Sequence, residues 1–132
     1  MFKRLLLLGV LAGMLAGVAS IVYQKVYISS LGADFTKIAA PVGIIASSVL
    51  GCLLASLGFW LLNKWLKQKG EIVFNLLFSI LSIATILAPF AVKLPLDVES
   101  PELFPGLVVP MHLFPAMAWF TLRPLFIRET AN

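Results

Sequence analysis

The residue with the widest chemical scope in this sequence is its one histidine, His112, which lies in the segment Pro110-Met111-His112-Leu113-Phe114-Pro115. An imidazole can carry protons, bind a transition metal or ligate haem. The flanking prolines lack N–H groups, so the carbonyls of Gly106 and Met111 lose their helical partners, and an imidazole N–H can take one of them. Two interpretations stay open. His112 either satisfies a kinked helix or is a ligand or proton carrier. A metal or haem would need a second subunit or partner, because one histidine is too few for a closed metal site.

A second set of polar side chains follows one face of an apolar stretch upstream. Asn75, Ser79 and Ser82 are spaced by four and three residues, which places them on one side of a helix. Together with His112 they are a candidate polar path for an ion or a small solute. The alternative is helix packing, since hydroxyls and amides also form hydrogen bonds to the backbone or across helices in membranes.

The remaining reactive groups exclude several chemistries. The single cysteine, Cys52, rules out an intramolecular disulfide and a Cys-x-x-Cys redox pair. No acidic residue lies inside an apolar stretch, and the sequence has no Gly-rich phosphate loop. We therefore expect a protein that is not an enzyme, and the sequence identifies neither a cofactor nor a metal site.

The composition explains why reactive groups are so sparse. Of the 132 residues, 61% are hydrophobic and 12% are charged, and the mean hydropathy is +1.02. A soluble domain carries about 25% charged residues, so this chain cannot cover a globular surface with polar groups. The sequence predicts a membrane protein in contact with the lipid bilayer. Its net charge of +4 comes from scattered basic residues, which argues against binding of nucleic acid.

Four apolar stretches are each long enough to cross the bilayer as a helix, which needs about 20 residues. They cover approximately residues 5–23, 38–62, 72–92 and 103–122. The first begins like a signal peptide, but its 19 residues exceed the usual apolar length, so we expect it to be retained. The predicted fold is an all-α integral membrane protein: one domain over residues 1–132, with four transmembrane helices in an up-down bundle. Its prolines are expected to kink the fourth helix.

The basic residues beside the spans predict the orientation, because positive residues in short loops remain in the cytoplasm. Seven lie on the side of the termini and three on the other: Lys3, Arg4, Lys64, Lys67, Lys69, Arg123 and Arg128 against Lys25, Lys37 and Lys93. Both termini are therefore expected in the cytoplasm, with outer loops at residues 24–37 and 93–102, in the cell inner (cytoplasmic) membrane. The inner connection is expected to be a tight turn that uses the backbone freedom of Gly70.

Aromatic residues support this orientation, because amphipathic rings prefer the membrane boundary. Tyr23 and Tyr27 are expected at the outer boundary. Trp60, Trp65 and Trp119 are expected at the inner one.

The most specific spacing is a row of small residues in each of the first two spans. In the first span, a glycine recurs every four residues at Gly9, Gly13 and Gly17. The second span has small residues at the same spacing, at Gly43, Ser47, Gly51 and Ala55. Small faces let helix backbones approach closely in membranes. Either the two faces pack on each other within one chain, or at least one of them packs on another subunit.

In length and number of spans the chain resembles dual-topology fluoride channels and small multidrug transporters. The charge bias argues against dual insertion, and the sequence lacks the membrane-embedded acid of proton-coupled small multidrug transporters. We expect a non-enzymatic subunit or scaffold of a membrane assembly, either as a homo-oligomer or with other membrane subunits. The alternatives are a small oligomeric channel or transporter and, third, a haem- or metal-binding subunit that uses His112.

Overall fold

The computed structural model describes residues 2–32, 34–91 and 101–127. About 90% of the described residues are helical, and they form no strand. Within these ranges the α-helices are α1 (Phe2–Leu31), α2 (Pro41–Leu66), α3 (Gly70–Thr85), α4 (Ala88–Ala91) and α5 (Phe104–Phe126). Short 3-10 turns, Lys67–Lys69 and Pro101–Leu103, precede α3 and α5. Most of the predicted second outer loop, up to residue 100, and Arg128 lie outside the described residues.

Three helical stretches are long and apolar enough to cross a membrane: Phe2–Leu31, Pro41–Ala91 and Phe104–Phe126. The all-helical class predicted from the sequence is therefore confirmed, with the helices expected of a membrane protein. The predicted third span coincides with α3 and α4, which continue the helical stretch that begins with α2. α3 has 16 residues, or about 24 Å at 1.5 Å per residue, against about 30 Å of hydrocarbon. A fourth crossing therefore stays a prediction.

The helices α1, α2 and α5 form the closely packed part of the molecule, with α1 antiparallel to both α2 and α5. Two buried clusters lie at opposite ends. One contains Phe35, Phe104 and Leu107, and we call it the Phe104 end. The other contains Phe74 and Trp119, and we call it the Trp119 end.

Trp119 is the centre of the cluster at its end of the bundle. Its ring centroid lies 5.5 Å from that of Phe59 and 4.8 Å from that of Phe74. The indole N–H donates a hydrogen bond to Ser56 Oγ at 3.0 Å, and the side chain is fully buried. The indole of Trp119 therefore finds its polar partner inside the bundle, and its position at the inner membrane boundary stays a prediction. Trp65, in contrast, is 72% exposed.

The connection between α1 and α2 closes the Phe104 end. Phe35 is buried there, and Gln24 Nε2 donates a hydrogen bond to the Ala39 carbonyl oxygen at 2.8 Å. Asp34 Oδ1 accepts the backbone N–H of Thr36 at 2.9 Å, and this hydrogen bond lowers the pKa of the Asp34 carboxyl. The loop is thus held by its own side chains and by α1.

The connection between α2 and α3 reverses the chain between Lys67 and Gly70. Lys67 has φ 51°, in the left-handed region, whereas Gly70 has an ordinary helical φ of −59°. A Cβ at Gly70 would lie 2.5 Å from the Leu62 carbonyl oxygen and 2.6 Å from Asn63 Cα. The expectation that Gly70 supplies backbone freedom is therefore wrong. Gly70 supplies space for close approach, and Lys67 adopts the unusual conformation.

Candidate functional site

The glycine row of α1 faces α2 at close range. A Cβ at Gly13 would overlap the backbone of Val49, and one at Gly17 would lie 3.0 Å from Ile45 Cγ1. Gly9 is equally crowded, with Ser56 Oγ 2.9 Å from the position of a Cβ. The two backbones therefore approach along this row as only small residues permit.

The small-residue row of α2 lies elsewhere. Gly43, Ser47 and Gly51 are exposed, and a Cβ at Gly43 or Gly51 would have nothing within 4 Å among the described atoms. Ala55 is buried, with 8% of its surface exposed. All four residues line a groove, whereas α1 packs on the adjoining row of α2.

This groove, of about 970 Å³, lies between α2, α3 and α5. It extends along α2 from Gly43 to Leu62, which is about 28 Å at 1.5 Å per residue. Its α2 wall is mostly small, and its α3 and α5 walls are mostly large and apolar. The residues of those two walls are Phe74, Leu77, Phe78, Leu81, Ser82 and Thr85 from α3, and Phe104, Val108, Met111, His112, Pro115 and Ala116 from α5.

The groove exists because α3 packs closely on α2 only near its beginning, while Phe78 packs on Trp119 and Phe120 of α5. Gly70 and Phe74 are the buried residues of α3. Leu77 and Leu81 line the groove, yet they are 46% and 60% exposed. Beyond Phe74, α3 therefore stands away from α2, and the groove is open to its surroundings.

Arg123 ties α5 to the beginning of α3. It forms an ion pair with Glu71 and donates a hydrogen bond to Asn75 Oδ1 at 3.3 Å. Its guanidinium carbon lies 5.1 Å from the centre of the Phe59 ring, a cation–π contact. Only 12% of the Arg123 side chain is exposed. Asn75, a candidate for the polar path, belongs to this cluster. No local sequence pattern indicates it, because residues 71 and 123 meet only in the folded bundle.

The structure brings together only part of the proposed polar path. Ser82 and His112 line the groove. Ser79 is exposed and is not among the lining residues, and Asn75 lies beside Arg123. Among the described residues, these four side chains therefore do not form a continuous polar surface.

His112 lines the groove and forms a hydrogen bond through its ring. Its Nδ1 lies 2.8 Å from the carbonyl oxygen of Val108. A carbonyl only accepts, so Nδ1 must carry the hydrogen, and in the neutral imidazole Nε2 is then an acceptor. Nε2 makes no hydrogen bond to any residue in the described ranges.

A tyrosine takes the carbonyl that Pro110 leaves without a helical partner. Tyr23 donates its hydroxyl hydrogen to the Gly106 carbonyl oxygen at 2.9 Å. The expectation that His112 takes a carbonyl freed by a proline is therefore wrong, because His112 bonds to Val108. Sequence reasoning assigned Tyr23 to the membrane boundary, since a contact between residues 83 positions apart has no local signal.

Ser20 contributes a second polar group without a protein partner. Its side chain is fully buried, and its Oγ has no hydrogen-bond partner among the described residues. Ser20 is also the residue of α1 that lines the groove. A buried hydroxyl without a partner is unusual, since most buried polar atoms are hydrogen-bonded.

Within the part of the chain that the structure describes, no three His, Cys, Asp or Glu side chains group closely enough to hold a metal ion. The residues that line the groove carry no formal charge when His112 is neutral. Comparison of the chain with protein-family models, with curated proteins and with solved structures gives no match.

Proposed function

We propose that this chain is a small, non-enzymatic subunit of a membrane assembly that binds an apolar, lipid-like molecule in the groove. The observation that carries the proposal is the groove itself, with a volume of about 970 Å³ and mostly apolar walls. Ligand sites in proteins are clefts of about 300–1,000 Å³ with apolar walls and a few polar groups. The exposed lining residues Gly43, Gly51 and Leu81 make the groove accessible from the bilayer.

We also propose the membrane arrangement that the charge distribution predicts: four crossings, with both termini in the cytoplasm, in the inner (cytoplasmic) membrane. The third crossing would be made by α3 and α4, and the reversal of the chain between Lys67 and Gly70, which directs α3 back along α2, supports this. A second copy or another membrane subunit would contact the face of α3 that points away from the bundle. That face includes Leu76, Ile80 and Ile83, whose side chains are at least 60% exposed.

Binding of radiolabelled methyl oleate to the purified protein in detergent tests the proposed function. Gly51 lines the groove, and a Cβ there has no described atom within 4 Å, so Gly51→Leu should fill part of the groove and weaken binding at least tenfold without unfolding the protein. The matched control is Val42→Leu, at a residue of α2 that is 81% exposed and does not line the groove. Equal binding by wild type and Gly51→Leu would contradict the proposal.

A haem-binding subunit is the second candidate, and one observation favours it. A histidine that ligates a metal almost always donates its other ring N–H to a carbonyl or carboxylate, and His112 has this arrangement with Val108. The visible absorption spectrum of protein purified from haem-replete cells is the test. A haem band that His112→Leu removes would support this candidate, and a spectrum without the band would contradict it.

A further inference from the structure

We propose that the Trp119 end carries a binding surface for the phosphate head of an anionic phospholipid, separate from the groove. The surface is formed by the start of α1, the end of α2 and the turn that follows α2. We call it the basic surface, and its cations are Lys3, Arg4, Lys64, Lys67 and Lys69. None of these residues lines the groove, so the inference goes beyond the function proposed for the groove.

The first observation is that the two ends of the bundle differ in charge. Among the described residues, the Trp119 end has six basic residues and one acidic residue, Glu71. The Phe104 end has two of each kind, namely Lys25, Lys37, Asp34 and Glu102. Glu71 is already paired with Arg123, so the cations of the basic surface have no acidic partner among the described residues. An anion from outside the chain is therefore attracted to the Trp119 end.

The second observation is that aromatic contacts join the start of α1 to the end of α2. The ring centroid of Phe2 lies 5.2 Å from that of Trp60. Lys64 Nζ lies 5.0 Å from the centre of the same Trp60 ring. Lys3 and Arg4 follow Phe2 directly in the chain, and both are exposed. The cations of the two helices therefore lie in one region of the molecular surface.

The contact of Lys64 with Trp60 prepares this lysine to bind a phosphate. A cation–π contact holds the ammonium near the ring, and the N–H donors of the ammonium can still bind oxygen. Lys64 is exposed, so a phosphate oxygen can reach it. Because the contact already restricts a long side chain, a phosphate that binds there loses less affinity to the ordering of that side chain.

The depth of the basic surface and its apolar neighbours favour a phospholipid over free phosphate. Lys3 and Arg4 immediately precede the first apolar stretch, and Lys64 follows the second by two residues. In the proposed membrane arrangement, on which this step rests, the cations lie near the level of the lipid head groups. Phe2 and Leu66 beside them are exposed and can contact acyl chains. A ligand that suits both features has an anionic head and acyl chains.

Competition binding in a nonionic detergent tests the inference, with labelled dioleoylphosphatidylglycerol as the probe. The competitors are dioleoylphosphatidylcholine, which has the same acyl chains and no net charge, and inorganic phosphate. We expect wild type to bind phosphatidylglycerol at least tenfold more tightly than phosphatidylcholine in 0.1 M salt, and less than threefold more tightly in 1 M salt, because salt screens exposed charges. Equal affinity for both lipids, or displacement of the probe by inorganic phosphate at the same concentration, would overturn the inference.

Three variants assign the binding to the basic surface. Lys64→Gln should lower the affinity for phosphatidylglycerol about fivefold, since one basic residue near an anionic lipid surface contributes about that factor. Trp60→Leu keeps the charge but removes the ring beside Lys64, and it should lower the affinity about threefold. Lys25→Gln, at the Phe104 end, is the matched control and should bind as wild type does. Thermal denaturation checks that each variant is folded.

Two outcomes would contradict this assignment. Equal losses in Lys64→Gln and Lys25→Gln would show a response to net charge alone and overturn the basic surface. An unchanged affinity in Trp60→Leu would overturn the role of its ring in holding Lys64.

Gly51→Leu separates the basic surface from the groove. Gly51 lines the groove, so this variant should bind phosphatidylglycerol as wild type does, although it weakens the binding of methyl oleate. Loss of both ligands would place phosphatidylglycerol in the groove and overturn the inference. Binding of phosphatidylglycerol by a wild-type protein that does not bind methyl oleate would contradict the groove function and support the basic surface.

Discussion

Two buried serine hydroxyls in this bundle have the same chemistry and opposite surroundings. Ser56 Oγ accepts the indole N–H of Trp119, whereas Ser20 Oγ has no partner among the described residues. A buried polar group without a hydrogen bond costs about 1–3 kcal/mol of stability. The folded state is therefore stabilised at Ser56 and destabilised at Ser20 by the same functional group.

Ser20→Ala is expected to stabilise the protein without ligand, because it removes a hydroxyl that is buried and unpaired. The expected gain is about 1 kcal/mol, or roughly 4 °C in Tm. Thermal denaturation in detergent measures it. Ser56→Ala is the matched control and should lower Tm, since it leaves the Trp119 N–H without its acceptor. A lower Tm for Ser20→Ala would show that Ser20 has a partner in the folded protein.

At the scale of helices, the two small-residue rows serve different surfaces. The row of α1 contacts α2, and the row of α2 lines the groove. The sequence indicates both rows, because spacing by four residues is a local pattern. It does not indicate which neighbour each row faces, because that depends on how α3 and α5 pack around α2.

Gly13→Leu and Gly51→Leu are the same substitution on these two surfaces and should give opposite results. At Gly13 the new side chain would overlap the Val49 backbone and force α1 from α2, with a loss of about 3 kcal/mol or more. At Gly51 it would enter open space and change Tm by no more than about 2 °C. Both spans should still insert, because leucine is more favourable than glycine in the membrane. Size-exclusion chromatography and thermal denaturation in detergent distinguish the cases, and a stable Gly13→Leu monomer would refute the intrachain packing.

In the turn between α2 and α3, the backbone of Lys67 is strained, and a substitution can relieve that strain. Lys67 has φ 51° and ψ −121°, a conformation that glycine adopts readily and residues with a Cβ do not. Such strain costs about 1–3 kcal/mol, so Lys67→Gly should raise Tm by several degrees. Lys67→Ala removes the same charge but keeps the Cβ, and it should not raise Tm. A similar gain in both variants would assign the effect to charge and not to the backbone.

At the scale of the molecule, the sequence predicts the helical class and the apolar stretches. Hydropathy is averaged over a whole span, so a single polar residue hardly changes it. It does not predict the groove or the buried Trp119, because both arise from contacts between residues far apart in the chain. Tyr23 and His112 illustrate the limit. The sequence indicates that Pro110 frees a carbonyl, but only the folded bundle selects Tyr23 as its partner.

The membrane orientation is testable with single cysteines in a Cys52→Ala background. We expect Glu99→Cys to react with a membrane-impermeant thiol reagent in intact cells, and Lys67→Cys to react only after permeabilisation. The reason is the excess of basic residues on the side of Lys67. Labelling of Lys67→Cys in intact cells, with protection of Glu99→Cys, would reverse the proposed orientation.

Because the groove is open on one side, its occupancy by the proposed lipid would depend on the concentration of that lipid within the bilayer. Gly43 and Gly51 are exposed on the same surface of α2 that would face acyl chains, so the proposed lipid would exchange with the surrounding leaflet without crossing water. Mass action then applies to the mole fraction of that lipid in the bilayer, and its bulk molarity is irrelevant. Diluting a fixed amount of ligand with inert phospholipid should empty the groove, although the total concentration in the vesicle suspension does not change.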